Sequence, residues 1–436
     1  MQKIKKLSSS GFRKDVLITI LGQFIVLLVA FGLNKILSNR LGTDGFGEYS
    51  IAKRTADVIT YIMLAGMGIA IPKYLSTYRQ LGDRLKEARF IIAGLVILGL
   101  LSFVTIFTLL VFRIPFSGII FGTNGYESFI LPILLFSFSS ALTTFVYSYY
   151  RGIDKFYIYN ISQITVQITM LFIVLFFNDN VIKLLYFWSL AIGCYGIIVC
   201  LKVLKKYFPI ALIKSPKRDL KPYIKELVSY CFPRIPGEFV LFSFTVVPIV
   251  IINYKLGIEI SGFFSAALTL NSTINPLFSF VGLVLLPLVS KSIAGNQFSK
   301  VNIKVNTLGK IYLVIAIMGI TFVEIFTPQL VNFFFSSDFQ PSVSIIRIVI
   351  LSVLPNAFYL LLRNPIDAVS KTPYNTINLT ISFSVLIVLS FLSSSIIEFT
   401  WSIFISYTLL GFLSIWTWNK CKKSIGNENK ITERSN

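Results

Sequence analysis

"LGTDGFGEYSIA", Leu41 to Ala52, and "LGIEISGFFSAA", Leu256 to Ala267, share one pattern without a gap. Written out it is L-G-x-[D/E]-x-x-G-x-[Y/F]-S-x-A, and an offset of 215 residues lays one copy on the other in a chain of 436. Each copy follows one long apolar run and leads into the next. A twelve-residue pattern that returns after half the chain implies two halves built alike, so the fold is read outward from it.

The surroundings are those of a membrane protein. The chain is 55% apolar and only 14% charged, with a mean hydropathy of +0.77. Soluble domains are typically ~45–50% apolar and ~25% charged. Apolar runs of about 20 residues, the length that spans a bilayer core, recur throughout. The short alternating segments of a barrel do not occur. The runs predict twelve helices, at 16–38, 46–72, 89–112, 129–150, 157–177, 182–202, 227–252, 260–289, 309–328, 342–362, 372–394 and 398–418.

A net charge of +21 would suggest nucleic acid if the basic residues formed a patch. They alternate instead. Thirty-one of the forty lie at the N-terminus, on every second loop and in the C-terminal tail, and only Arg40, Arg113, Lys183 and Lys255 lie on the intervening loops. Lys and Arg resist translocation, so basic loops stay cytoplasmic. Twelve spans with both termini cytoplasmic satisfy that rule at each loop, so the charge is topology and no nucleic-acid partner is expected. The first run is too long for a signal-peptide core and no small-residue cleavage site follows it, so it is read as an uncleaved span. Three of the four cysteines lie in spans and the fourth in the tail, which argues against a disulfide framework.

Several function classes lose support. The chain has no histidine, the commonest general acid–base and metal-ligating residue. No metal-ligand spacing and no nucleotide-binding P-loop occurs. The intervening loops are short, leaving little room for outer catalytic residues, so no catalytic residue, metal or cofactor is expected and the chain is read as a transporter rather than an enzyme.

A second echo supports the repeat. "RGIDKFYIYN" (Arg151 to Asn160) follows the fourth span and "RNPIDAVSKTPYN" (Arg363 to Asn375) the tenth; with small insertions Arg151 aligns with Arg363, Asp154 with Asp367 and Asn160 with Asn375. Six spans per half is an even number, so both halves enter from the same side as parallel repeats. The predicted domains are therefore a lobe over 1–202, a basic cytoplasmic linker over 203–226, a lobe over 227–418 and a tail over 419–436.

The motif after span one, "RGIDKF" after span four, the R…D…K…YN series after span ten and "YCFPRIPGEF" opening span seven together resemble the bacterial polysaccharide flippases. These belong to the multidrug/oligosaccharidyl-lipid/polysaccharide exporter superfamily. The resemblance covers the whole chain, but its motifs are short and structural. It implies an all-α, MATE-like fold of two six-helix lobes around a central cavity, in a bacterial cytoplasmic membrane. Its implied cargo is an undecaprenyl-pyrophosphate-linked oligosaccharide, such as an O-antigen or capsule unit. Implied partners are membrane lipids and the polymerase and chain-length components of the same pathway. Twelve spans equally fit the multidrug extruders of the superfamily, and a membrane polymerase of the pathway is the alternative outside transport.

Five basic residues lie inside spans. Ionisable groups at a helix centre cost at least ~2.5–3.5 kcal/mol on insertion scales, so they tend to face cavities. Lys35 and Arg347 lie near outer span ends, where snorkelling suffices. Lys53, Arg54 and Asp57 share one face of span two, Asp57 being i+4 from Lys53 and roughly 16 Å from the outer end at 1.5 Å per residue. Arg234 and Glu238 form a second i, i+4 pair in span seven, and counting from residue 227 puts Glu238 at a similar depth. Pro233, Pro236 and Pro248 are expected to disrupt the backbone there. Each pair can simply neutralise itself in packing. Yet shifting by 215 replaces Lys53, Arg54 and Asp57 by Leu268, Thr269 and Ser272, and Arg234 and Glu238 by Thr19 and Gln23. The fold therefore does not require these charges. The transport reading gives Lys53, Arg54 and Arg234 to the anionic headgroup, and Asp57 and Glu238 to charge balance or coupling to H⁺ or Na⁺. Arg151 with Asp154, and Arg363 with Asp367, are either a cytoplasmic gate or capping residues.

Overall fold

The computed structural model describes residues 9–123, 125–176, 180–213, 220–272, 278, 298–370 and 372–435. All regular structure among the described residues is helical. The chain divides into two compact units, Met1–Phe239 and Val240–Asn436. The first holds α1 (Ser9–Leu64), α2 (Met67–Gln80), α3 (Arg84–Val111), α4 (Arg113–Phe121), α5 (Glu127–Gly152), α6 (Phe156–Phe176), α7 (Val181–Ile213) and α8 (Lys221–Cys231). A 3₁₀ turn, Phe232–Arg234, then leads to α9 (Ile235–Leu256) and α10 (258–272). The second unit continues with α11 (Phe298–Phe334), α12 (Ser342–Leu351), α13 (Val353–Val369), α14 (Tyr374–Leu392) and α15 (Ile396–Ser435).

Ten stretches among the described residues are long and apolar enough to cross a bilayer, which makes this a multi-pass membrane protein. The first, Leu21–Leu64, takes in most of the two predicted spans 16–38 and 46–72. The predicted span 260–289 is described only over 258–272 and at Phe278; the rest lies outside the described residues. Segment 203–226, expected as a linker, is helical at both ends: α7 runs on to Ile213, and α8 packs against α2 and α3 of the first unit.

The repeated motif marks the main bends. At Gly42 the backbone of α1 turns through φ 67°, ψ −168°, a region essentially restricted to glycine. Gly257, at the same position of the second copy, has φ 94° and separates α9 from α10. A Cβ added at either would meet nothing within 4 Å, so the requirement is conformational rather than steric. The residue before each motif is a cation, and the structure gives one of them a purpose. Lys255 donates to the carbonyls of Phe391 and Ser393 at 2.5 and 2.9 Å, capping the C-terminus of α14.

Two predicted spans are broken. Span two divides at Ala65 (φ 43°) and Gly66 (φ 79°), after which α2 starts at Met67. The break is held from both sides. Ser148 and Arg151 of α5 donate to the Gly68 carbonyl, and a Cβ on Gly66 would lie 3.2 Å from that of Cys231 in α8. Span ten divides at Ser352, whose hydroxyl accepts from Asn271 Nδ2 at 3.3 Å.

Lipid is as apolar as a leucine side chain, so helices in a membrane associate through close packing and interhelical hydrogen bonds. Trp188 is wholly buried in the first unit between Tyr49 and Phe136, with ring centroids 5.9 and 5.8 Å away, and donates Nε1–H to Met170 O at 3.0 Å. Thr60 bonds the Ser137 carbonyl and Ser139 that of Ser189. In the second unit Asn378 donates to Thr417 Oγ1, and Tyr312 to Phe278 O. Arg347, expected to snorkel, instead lies 3.7 Å from Glu324 of α11, so a neighbouring acid answers the charge.

Candidate transport site

The second arm of α1 presents two faces. Tyr49, Ala52, Ala56, Ile59, Thr60 and Met63 are buried in the helix packing, whereas Lys53, Arg54 and Asp57 stay partly open. The packed residues recur every three or four positions, and the charges occupy the stripe left over. Lys53 Nζ donates to both oxygens of Asp57, at 2.6 and 2.8 Å, and lies 5.5 Å from the Phe136 ring centroid. The side chains keep 26% and 43% exposure. The pair is therefore only partly enclosed by its own unit. Arg54 is half-buried on the same stripe.

The other predicted pair is placed by its backbone only. Arg234 closes the 3₁₀ turn around Pro233, and Glu238 sits in the first turn of α9; the side chains of both lie outside the described residues. The apolar stretch starts at Ile235, so at 1.5 Å per residue Glu238 is only about 5 Å into it. Counting from 227 had put it near the middle. Pro233 does interrupt the helix, whereas Pro248 stays inside α9. Gln23, the counterpart of Glu238 under the 215-residue shift, donates to Gln163 of α6.

Of the two candidate gate pairs, the first does not form an ion pair. Arg151 does not bond Asp154. Its Nη2 donates to Gly68 O at 2.9 Å, and its guanidinium lies 5.6 Å from the Tyr159 ring. Asp154 is exposed with φ 58°, and the bonds Asp154 N to Arg151 O and Lys155 N to Tyr150 O form a Schellman cap that ends α5. In the second unit Asn375 Nδ2 donates to the Arg363 carbonyl at 2.8 Å and to Asp367 Oδ1 at 2.7 Å, tying α13 to α14.

Sequence reasoning missed a second polar cluster. Glu87 and Arg89 of α3, of which the charge count took only Arg89 as a loop cation, are 5% and 8% exposed. Tyr207 donates to Glu87 Oε1 at 2.9 Å, and Arg79 stands 3.8 Å from the same oxygen. The available signal was the lone acid in "RLKEARF", flanked by three cations. A further pair, Tyr126 donating to Glu48 at 3.0 Å, joins α1 to the start of α5.

The fold is that of known transporters. An inward-facing multidrug resistance MATE family transporter of the MOP superfamily superposes with a TM-score of 0.70 at 11% identity, covering 94% of this chain and 99% of its own. A mutant of the Vibrio cholerae MATE transporter VcmN gives 0.68 at 14% identity, with coverage of 96% and 99%. A Pyrococcus furiosus MOP superfamily transporter, whose binding pocket of reverse polarity suggests a different function, gives 0.64 at 11%, with coverage of 93% and 94%. A search of curated proteins finds no match. At the level of sequence, residues 12–293 match the polysaccharide biosynthesis protein family, and with well over half its length aligned the chain belongs to that family.

Proposed function

We propose that this protein is a flippase that carries an undecaprenyl-pyrophosphate-linked oligosaccharide, an O-antigen or capsule repeat unit, from the cytoplasmic to the outer leaflet of a bacterial cytoplasmic membrane by alternating access. The observation that carries the reading is the accessible Lys53–Asp57 pair, which the equivalent helix of the second unit replaces by Leu268 and Ser272. Family membership supports polysaccharide assembly as the setting. Lys53, Arg54 and Arg234 then offset the pyrophosphate, with the polyprenyl tail left in lipid. Asp57 competes for Lys53 when the headgroup is absent, and Asp57 and Glu238 are the groups for a coupling proton or Na⁺.

A multidrug extruder is the second reading, favoured by the MATE relatives. A cationic drug calls for an acidic site, however, whereas the charges here number three basic to two acidic. The Pyrococcus furiosus relative is reported with a pocket of reversed polarity, which supports this fold serving other cargo. The test is deletion of the gene followed by assay of the leaflet that holds the lipid-linked oligosaccharide. Inner-leaflet accumulation without polymer is the expected result; accumulation on the outer leaflet would mean a polymerase, and no change would mean drug export.

A further inference from the structure

A shallow cleft of about 570 Å³ opens on the first unit, lined by Tyr74 of α2 and by Pro222, Lys225, Glu226, Ser229 and Tyr230 of α8. That volume lies within the range of small-molecule sites. A block of rings backs it. Tyr74 stacks on Phe90 at 4.3 Å and meets Tyr230 edge-on at 5.7 Å, while Tyr223 meets Phe90 edge-on at 5.1 Å. These contacts fix α8 against α2 and α3.

Cations surround the rings. Lys73 Nζ sits 3.7 Å from the centroid of Tyr230, and Lys225 is exposed at the cleft. Arg89 is buried; its Nη1 donates to the Tyr223 hydroxyl at 3.1 Å, while its Nη2 has no partner. Arg89 thus adds positive charge beneath the ring block without lining the cleft itself. The Tyr74 hydroxyl is pushed up to about 12 by burial and by the Glu226 carboxylate it bonds. It therefore remains a donor at neutral pH and holds Glu226 at the cleft.

Aromatic faces suit sugar rings, a carboxylate and a serine suit sugar hydroxyls, and the cations suit phosphate. A bare phospholipid headgroup would use the cations alone. We propose that this cleft receives the phosphosugar headgroup of the lipid-linked substrate, on the face the basic loops mark as cytoplasmic, before translocation. Tyr230 stacks the first sugar, Glu226 and Ser229 bind its hydroxyls, and Lys225 and Lys73 pair with the phosphates. The next residue, Cys231, abuts Gly66, so the occupied cleft adjoins the break that ends the helix bearing Lys53 and Asp57. This assignment rests on the flippase reading.

The test uses the full chain in nanodiscs of neutral lipid, with farnesyl-pyrophosphoryl-N-acetylglucosamine as the probe and farnesyl pyrophosphate and inorganic pyrophosphate as controls. Lys225→Glu, at an exposed position that folding tolerates, and Tyr230→Ala should each weaken probe binding about tenfold, near the lower end for one hydrogen bond to a charged group. Tyr230→Phe should stay near wild type, and the controls should bind more weakly and ignore Tyr230→Ala. Unchanged probe affinity in both variants overturns the cleft. Displacement of the probe by phosphatidylglycerol, with farnesyl pyrophosphate binding as well as the probe, makes it a phospholipid site and also overturns it. Reconstituted flipping separates the two levels: variants that bind and flip normally sink the cleft alone, whereas a wild-type protein that flips nothing sinks the flippase reading beneath it.

Discussion

Laid over one another with a shift of 215 residues, the two halves agree in backbone and disagree in charge. Gly42 and Gly257 both turn the chain through positive φ, each in open space. From the residue after that motif the helices part. Lys53 and Asp57 form an accessible ion pair, while Leu268 is buried and the hydroxyls of Thr269 and Ser272 bond back to Ser265 O and Thr269 O of their own helix. The shared glycine is what the fold requires. The unshared charges sit on a helix whose counterpart carries none at those positions, and the flippase reading rests on that difference.

The strongest way to break that comparison is to exchange the pair. Lys53→Asp with Asp57→Lys preserves neutrality and i, i+4 spacing, so a purely structural pair should tolerate it within ~0.5 kcal/mol. The flippase reading expects membrane-inserted protein at wild-type level with transport cut at least about tenfold, more than 1.4 kcal/mol in the rate-limiting barrier. Asp57→Asn, which leaves Lys53 without its carboxylate, should fall as far, while Ser272→Ala in the other half should transport normally. Polymer produced by a complemented deletion strain, normalised to protein in the membrane, is the measurement. Full transport by the exchanged pair would reduce it to packing.

Legibility in the sequence followed how local each determinant is. Spans were readable because apolar length is set by the bilayer, and the Gly42 and Gly257 bends because a tight turn leaves a residue-level mark. The Lys53–Asp57 pair was readable because i, i+4 neighbours meet on any helix. The bond from Arg151 to the Gly68 carbonyl was not readable, because that carbonyl lies 83 residues away and has no side-chain signature. The break at Ala65–Gly66 escaped because Leu64 and Met67 continue the apolar run across it. Glu87 and Arg89 escaped for the same reason as Arg151: Tyr207 and Tyr223 are far along the chain, and charge counting assigns loop residues to topology alone.

The two glycines offer the next test, this time of the agreement. Alanine at Gly42 or Gly257 forces a Cβ into positive φ, at a cost of order 1–3 kcal/mol for a strained backbone residue. Both variants should lose thermal stability in detergent by similar amounts, read as the midpoint of monomer loss on size-exclusion chromatography. A large loss at one and none at the other would mean that the motif copies are not equivalent. A smaller effect is expected at Lys255, whose ammonium meets two carbonyls at the end of α14. Lys255→Met should cost roughly 1 kcal/mol, because water screens an exposed ammonium, with Lys255→Arg recovering part of it.

The smallest effect sharpens the second echo, where aligned residues do different things. Arg151 and Asp154 do not touch, so a double-mutant cycle between Arg151→Gln and Asp154→Ala should give a coupling energy within about 0.3–0.5 kcal/mol of zero, as for independent sites. Asp367 and Asn375 share a 2.7 Å hydrogen bond, so the cycle Asp367→Ala with Asn375→Ala should give about 0.5–1.5 kcal/mol. Arg151→Gln alone should still destabilise, because its guanidinium bonds the Gly68 carbonyl beside the span-two break. A coupling above 1 kcal/mol between Arg151 and Asp154 would restore the ion pair and with it a gate at that end. A value near zero leaves Asp154 as the residue that ends α5 and Arg151 as a brace on α2, its guanidinium holding the Gly68 carbonyl just past the span-two break.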